Sequence, residues 1–272
     1  MNRFLHFALL LFAILFSAFP LTSLAQSNSP APASSIPVDQ QNSAKAQALI
    51  QSAIQALGGQ AYLDIQDVTQ EGRTYSFHLG TPDGVGVLFW RFYKYPDQER
   101  IELTKQRDVS DVFTGDQGAE ITYKGTTALD PKTLSSYLRR REYSLDWVLR
   151  KWIHEPGVAL FYEGSAIAAQ KPAEQVTLID AQNRGVTLYF DINTHLPIKK
   201  TFSWRDPTDR QRNIEDEVWD NYREVQGIMT PFSITRYYNG DMSNQRFLNT
   251  VKYNQGLKDS LFAISKPLAT RK

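Results

Sequence analysis

Val87-Leu88-Phe89-Trp90-Arg91-Phe92-Tyr93-Lys94-Tyr95 carries large apolar or aromatic side chains at seven of nine positions. In an extended chain successive side chains point to opposite sides, so Leu88, Trp90 and Phe92 share one face, while Val87, Phe89, Tyr93 and Tyr95 share the other. Both faces are greasy, which suits a strand enclosed on two sides rather than one lying on a flat, half-solvated sheet. In a curled sheet the inner side of such a strand faces a cavity or the helices that cover it.

Working outward, the period of two continues on both flanks. Tyr75, Phe77 and Leu79 alternate with Thr74, Ser76 and His78, and Ile101 and Leu103 alternate with Arg100, Glu102 and Thr104. Turn signals at Thr81-Pro82-Asp83-Gly84, Tyr95-Pro96-Asp97, Gly115-Asp116-Gln117-Gly118 and Lys124-Gly125 come at intervals short enough for an antiparallel meander of about five strands. Residues 158–163, 174–180, 186–192, 197–204, 215–225, 229–239 and 245–253 show the same alternation or a density of β-branched and aromatic residues. About twelve strands in one domain are too many for a flat open sheet, so curling into a barrel or half-barrel is expected.

Two helical regions interrupt the pattern. Ser43 can cap a helix AKAQALIQSAIQAL, with Leu49, Ile50, Ala53, Ile54 and Leu57 on one face and Gly58-Gly59 as its stop. At Asp130-Pro131 a good N-cap precedes a residue suited to the first helical position, and Leu134, Tyr137, Leu138, Leu145, Val148, Leu149 and Trp152 return to helical spacing. Ser144-Leu145-Asp146 can start a second helix, so this insert is expected to be two helices with a bend near 141–144, closed by Pro156-Gly157. The fold class expected is α+β: a curled antiparallel sheet forming an unclosed β-barrel, covered by the N-terminal helix and the helical insert.

The N-terminus fits export. One basic residue, Arg3, precedes an apolar run, and Ser23-Leu24-Ala25 fits a small-residue cleavage site, so residues 1–25 read as a secretory signal peptide, with a retained N-terminal anchor as the rival. Residues 26–42 hold three prolines and four serines and read as a disordered tether. Residues 43–267 are then a single domain and 268–272 a tail. The chain has no cysteine, so neither a disulfide nor a lipid-modified cysteine is available. Without residues 1–25 the charges balance at 29 basic and 29 acidic residues, which argues against a nucleic-acid partner.

Nothing at recognisable spacing supports catalysis or a metal. His78, His154 and His195 are far apart and form no ligand motif, and Gly164-Ser165 lacks the frame of a nucleophile elbow. No Gly-rich phosphate cradle precedes a helix, and no cofactor is expected. Glu215-Asp216-Glu217, with Asp220 nearby, reads as a solvated strand edge. Arg139-Arg140-Arg141 invites comparison with phosphate or lipid head-group sites, but three successive helical positions spread around the circumference, so a solvated helix face is expected.

Several segments carry a family resemblance. The first helix ends Ala56-Leu57-Gly58-Gly59, a long strand pair reaches Arg91-Phe92-Tyr93-Lys94-Tyr95-Pro96, and a strand, turn, strand run covers Asp111 to Tyr123. Val186-Thr187-Leu188-Tyr189-Phe190-Asp191 leads to Leu196-Pro197-Ile198-Lys199-Lys200, and Leu261-Phe262-Ala263-Ile264 closes the chain. Over most of 43–267 the chain thereby resembles the outer-membrane lipoprotein carrier superfamily, the LolA/LolB-like periplasmic lipid-binding proteins. The resemblance implies an unclosed barrel with a helical lid and an apolar interior that accepts acyl chains in the periplasm. The chain departs from that family in being longer and in lacking the lipidated cysteine of the membrane-bound receptor member.

The function expected is a non-catalytic periplasmic binding or carrier protein for a lipid or acylated ligand, held by apolar burial at about 25 cal/mol per Å². By alternation and helical spacing the expected ligand wall is Leu88, Trp90 and Phe92, Leu188 and Phe190, with Val148 and Trp152 from the lid. The alternative is an envelope protein-interaction or sensory module with a filled core.

Overall fold

The computed structural model describes residues 38–264. The expected signal peptide, the tether up to residue 37 and the 268–272 tail lie outside the described residues. Fourteen antiparallel strands form one sheet: β1 (Asp67–His78), β2 (Thr81–Pro82), β3 (Val87–Lys94), β4 (Gln98–Leu103), β5 (Val109–Thr114), β6 (Gln117–Thr122), β7 (Gly125–Ala128), β8 (Ala159–Ala168), β9 (Lys171–Ile179), β10 (Gly185–Asp191), β11 (Pro197–Arg205), β12 (Arg212–Val225), β13 (Ile228–Tyr238) and β14 (Asp241–Tyr253). Their order is β7-β6-β5-β4-β3-β1-β14-β13-β12-β11-β10-β9-β8, with β2 pairing only with β1. The meander is continuous except where β1 accepts β14 on its other side, the register running from Val68↔Tyr253 to Ser76↔Asn244. β7 and β8 do not pair with each other, so the barrel is unclosed.

Because β7 ends at Ala128 and β8 begins at Ala159, the chain linking the two sheet edges is the helical insert. It forms α3 (Pro131–Glu142), α4 (Leu145–Arg150) and a 3₁₀ turn (Trp152–His154), as the two-helix reading anticipated. Both expected caps are in place. The Asp130 carboxylate accepts from the backbone N–H of Lys132 and Thr133 at 3.0 and 3.2 Å, and the Ser144 hydroxyl accepts from the N–H of Trp147 at 3.3 Å.

The N-terminal α1 (Val38–Leu57) begins five residues before Ser43, so residues 38–42 are helical rather than part of a tether. Two local causes are evident. Asp39 places a negative charge in the first turn. The Asn42 amide donates to the Tyr162 carbonyl and accepts from the Tyr162 N–H, both at 2.8 Å, and so satisfies exposed backbone groups of edge strand β8. The helix stops at Gly58 and Gly59, both with positive φ, where the Gly59 N–H donates back to the Ile54 carbonyl at 2.9 Å. A short α2 (Gln60–Leu63) follows.

The apolar face of α1, through Ala46, Leu49, Ile50, Ala53, Ile54 and Leu57, joins Val148, Leu149 and Trp152 of the insert and Val176, Leu178, Val186, Leu188 and Phe190 of the sheet in one buried cluster. Burial of a large side chain of this kind stabilises by roughly 1.5–3 kcal/mol. This cluster fills the concave side beneath β8 to β11.

One strand assignment is corrected. β12 runs from Arg212 to Val225 in the interior of the sheet, between β11 and β13, so the acidic run is no solvated edge. Glu215 is buried; Asp216, one position on, sits on the opposite face beside Lys199 and Thr201.

A cavity with one apolar and one charged end

Under α3 and α4, on the concave side of β3, β4, β1, β14, β13 and β12, lies a cavity of about 350 Å³. Its lining follows directly from the strand registers. Inward positions change from apolar to charged in the same direction on four strands: from Tyr95 and Tyr93 to Arg91 along β3, from Tyr253 to Arg246 along β14, from Ile228 through Ile234 to Arg236 along β13, and from Trp219 to Glu217 along β12. At the first end Leu57, Tyr62, Ile65 and Val68 complete an aromatic and aliphatic wall. The few polar groups there are paired: Tyr62 donates to Asp146 at 2.9 Å, and the Tyr253 and Thr230 hydroxyls lie 2.8 Å apart.

The other end is a buried network of ions. Arg91 donates to Glu99 at 2.5 Å, and Tyr137 of α3 donates to the second oxygen of the same carboxylate at 2.8 Å. Burial opposes ionisation of Glu99, but Arg91 and the Tyr137 hydroxyl outweigh it and hold the carboxyl below its usual range. Glu217 receives Lys200 at 2.8 Å, Arg236 at 3.3 Å and Arg246 at 3.6 Å. Burial again favours the neutral acid, and these three cations reverse it, keeping Glu217 well below the ordinary carboxylate range. Lys200 is itself pushed down by burial, which Glu217 only partly offsets; its ammonium also donates to the Tyr143 carbonyl at 2.8 Å.

The lid is held mainly by polar and aromatic contacts. Tyr137 stacks on Phe113 with ring centroids 3.5 Å apart. Arg139 lies over the Trp204 ring at 3.5 Å and pairs with Glu215 at 3.2 Å, while Arg141 donates to the Gly115 carbonyl at 2.6 Å. No residue of α3 is fully buried. The expected solvated arginine face is therefore corrected: Arg139 and Arg141 anchor the lid on either side, and Arg140 lines the cavity between them.

None of the seven residues expected to form the ligand wall lines this cavity. Leu88, Trp90 and Phe92 occupy the convex face, where the Arg107 guanidinium lies 5.2 Å over Trp90 and 5.8 Å over Phe92. The opposite face of β3, with Phe89, Arg91 and Tyr93, points inward. Arg91 obscured this choice, since a lone charge suggests the solvent side until Glu99 is seen to partner it eight residues later. Val148, Trp152, Leu188 and Phe190 do face inward, but they are packed in the filled part of the core. Tyr137, one of the insert's helically spaced residues, does line the cavity. Glu217, Arg236 and Arg246 went unrecognised; the signal was charge recurring at inward positions of neighbouring strands, legible only once the register is known. Among the described residues no group of three histidine or acidic side chains is placed to hold a metal ion, and no helix is long and apolar enough to cross a membrane.

No family model matches the sequence, and no curated protein matches it. Solved structures do. A DUF1329 family protein from Desulfovibrio piger superposes with a TM-score of 0.57 at 12% identity, covering 80% of this chain and 97% of that one. A domain of the outer membrane lipoprotein-sorting type from Vibrio parahaemolyticus gives 0.53 at 9% identity, again covering 80% and 97%. A LolA superfamily protein from Nitrosomonas europaea gives 0.49 at 13% identity with the same coverage. The chain shares the fold of the DUF1329 family and lipoprotein-sorting structures.

Proposed function

We propose that this LolA-like half-barrel is a non-catalytic binding or carrier protein of the cell envelope, which takes a hydrophobic or amphiphilic ligand into the cavity beneath α3 and α4. The single observation that carries the reading is the cavity itself. About 350 Å³ lies at the low end of the roughly 300–1,000 Å³ of small-molecule sites, enough for one extended chain and not for several. The description of the Vibrio parahaemolyticus domain as one of lipoprotein sorting supports acyl cargo, and the signal-like segment 1–25 supports a periplasmic location.

Binding of this kind needs no nucleophile or base. Its affinity comes from apolar surface removed from water, and its control from the lid: α3 has no fully buried residue, so its detachment sacrifices polar contacts rather than core packing. Titration with the neutral dye N-phenyl-1-naphthylamine tests the reading. The protein should take up the dye, Ile101→Trp should abolish uptake by filling the space while keeping the far-UV spectrum, and Trp90→Ala on the convex face should leave uptake unchanged. Equal uptake by the wild type and Ile101→Trp would place binding elsewhere.

A further inference from the structure

The charged end of the cavity holds more cations than its own acids neutralise. Arg91, Arg140, Arg236 and Arg246, with the adjoining Lys200, are met chiefly by Glu99 and Glu217, while Glu215, already paired with Arg139, reaches Arg140 and Lys200 only at longer range. Glu99 pairs with Arg91 at 2.5 Å and accepts from Tyr137, acting on Arg246 only at longer range, which leaves Glu217 to serve Lys200, Arg236 and Arg246 together. Arg140, on the underside of the lid, makes no close hydrogen bond or ion pair among the described residues and feels Glu215 and Glu217 only at longer range, and the buried Nε of Arg246 has no hydrogen-bond partner. Asp111, the remaining carboxyl at this end, makes no hydrogen bond and is pushed up to about 6 by burial and by Glu120, which pairs with it across the sheet.

Under-compensated charge on buried side chains is costly, and an incoming anion would offset it. Burial and the neighbouring Arg236 push Arg140 down to about 10 and Arg246 to about 9, which nearby acids only partly offset, the direction expected of guanidinium groups packed together with too few carboxylates. Arginine is also the side chain whose planar fork best matches carboxylate and phosphate. From this end the apolar wall runs away along the strands to Tyr253, Ile228 and Tyr95.

We infer that the ligand is an anion-headed single-chain amphiphile, with its carboxylate or phosphate held by Arg140, Arg236 and Arg246 and its chain lying along the apolar end. The inference rests on the cavity reading above and adds the head-group class and its orientation. Arg140 belongs to the lid, whereas Arg236 and Arg246 belong to the sheet, so a bound head group would tie the lid closed.

Isothermal titration of the purified protein with dodecanoate, dodecyl phosphate, dodecan-1-ol and inorganic phosphate tests it. Dodecanoate or dodecyl phosphate should bind at least about tenfold tighter than dodecanol, the better of the two naming the head group, and inorganic phosphate alone should bind far more weakly. Arg140→Met should cut that preference to about threefold or less, leave dodecanol affinity unchanged, and melt no lower than the wild type because it removes an unpaired charge. Equal affinity for dodecanol and dodecanoate would overturn the inference while the cavity reading stands. Inorganic phosphate binding as tightly as dodecyl phosphate would overturn it in favour of a free-anion site. Binding of none of the four would overturn both. The wild-type ratios decide the matter even if the variant fails to fold.

Discussion

Glu217 and Asp111 line the same cavity and respond to pH in opposite senses. The folded-state pKa of Glu217 lies below its unfolded value despite burial, through Lys200, Arg236 and Arg246, so its stabilisation is present above the ordinary carboxylate range and is lost as pH falls. Asp111 is raised to about 6, so the folded state holds its proton longer, and that contribution is present below its ordinary value and lost as pH rises through about 6. Asp111→Asn should therefore raise the melting temperature above pH 6 and leave it unchanged near pH 4; the same gain at both pH values would mean that ionisation is not the cause. Glu217→Gln leaves three cations without their shared acid and should cost about 3 kcal/mol in urea denaturation at pH 7. A loss under about 1 kcal/mol would show that water or anions already neutralise the cluster.

Among the elements, α3 is set apart by how it is held. Its fastenings are the Tyr137 hydrogen bond and ring stack, the Arg139 pair with Glu215 and stack on Trp204, and the Arg141 bond to the Gly115 carbonyl. α1 instead buries a continuous apolar face against β8 and β13. Amide hydrogen exchange should thus be at least about tenfold faster in α3 than in the middle of α1, because local opening of α3 exposes little apolar surface. Equal protection would mean that the lid opens only with the whole domain. This contrast was half visible in the sequence. The Asp130-Pro131 and Ser144 caps located both insert helices, and three-and-four spacing located the face of α1. The fate of Arg139, Arg140 and Arg141 was not visible, since an exposed arginine and one spanning a lid have the same local pattern and differ only in what stands across the gap.

For the molecule as a whole, strand number and alternation were enough to require a curled sheet, and seven strands of the second half lie within a few residues of where alternation put them. Alternation alone could not say which face of a strand turns inward when both are apolar. On β3 the inward face is the one with Phe89, Arg91 and Tyr93, and Trp90 and Phe92 are covered instead by Arg107 on the outside. Nor could it say where the concave side is filled and where it is hollow. The filled part lies beneath β8 to β11 under α1, with Leu188 and Phe190; the hollow part lies beneath β3 to β5 and β12 to β14 under α3. The proposed binding role rests on that division, and native mass spectrometry with lipid extraction, on protein purified from its own envelope, tests it most directly. One co-purified single-chain ligand per chain, released by extraction and replaced by added dodecanoate, is the predicted result; a bare protein mass that takes up neither dodecanoate nor phospholipid would contradict it.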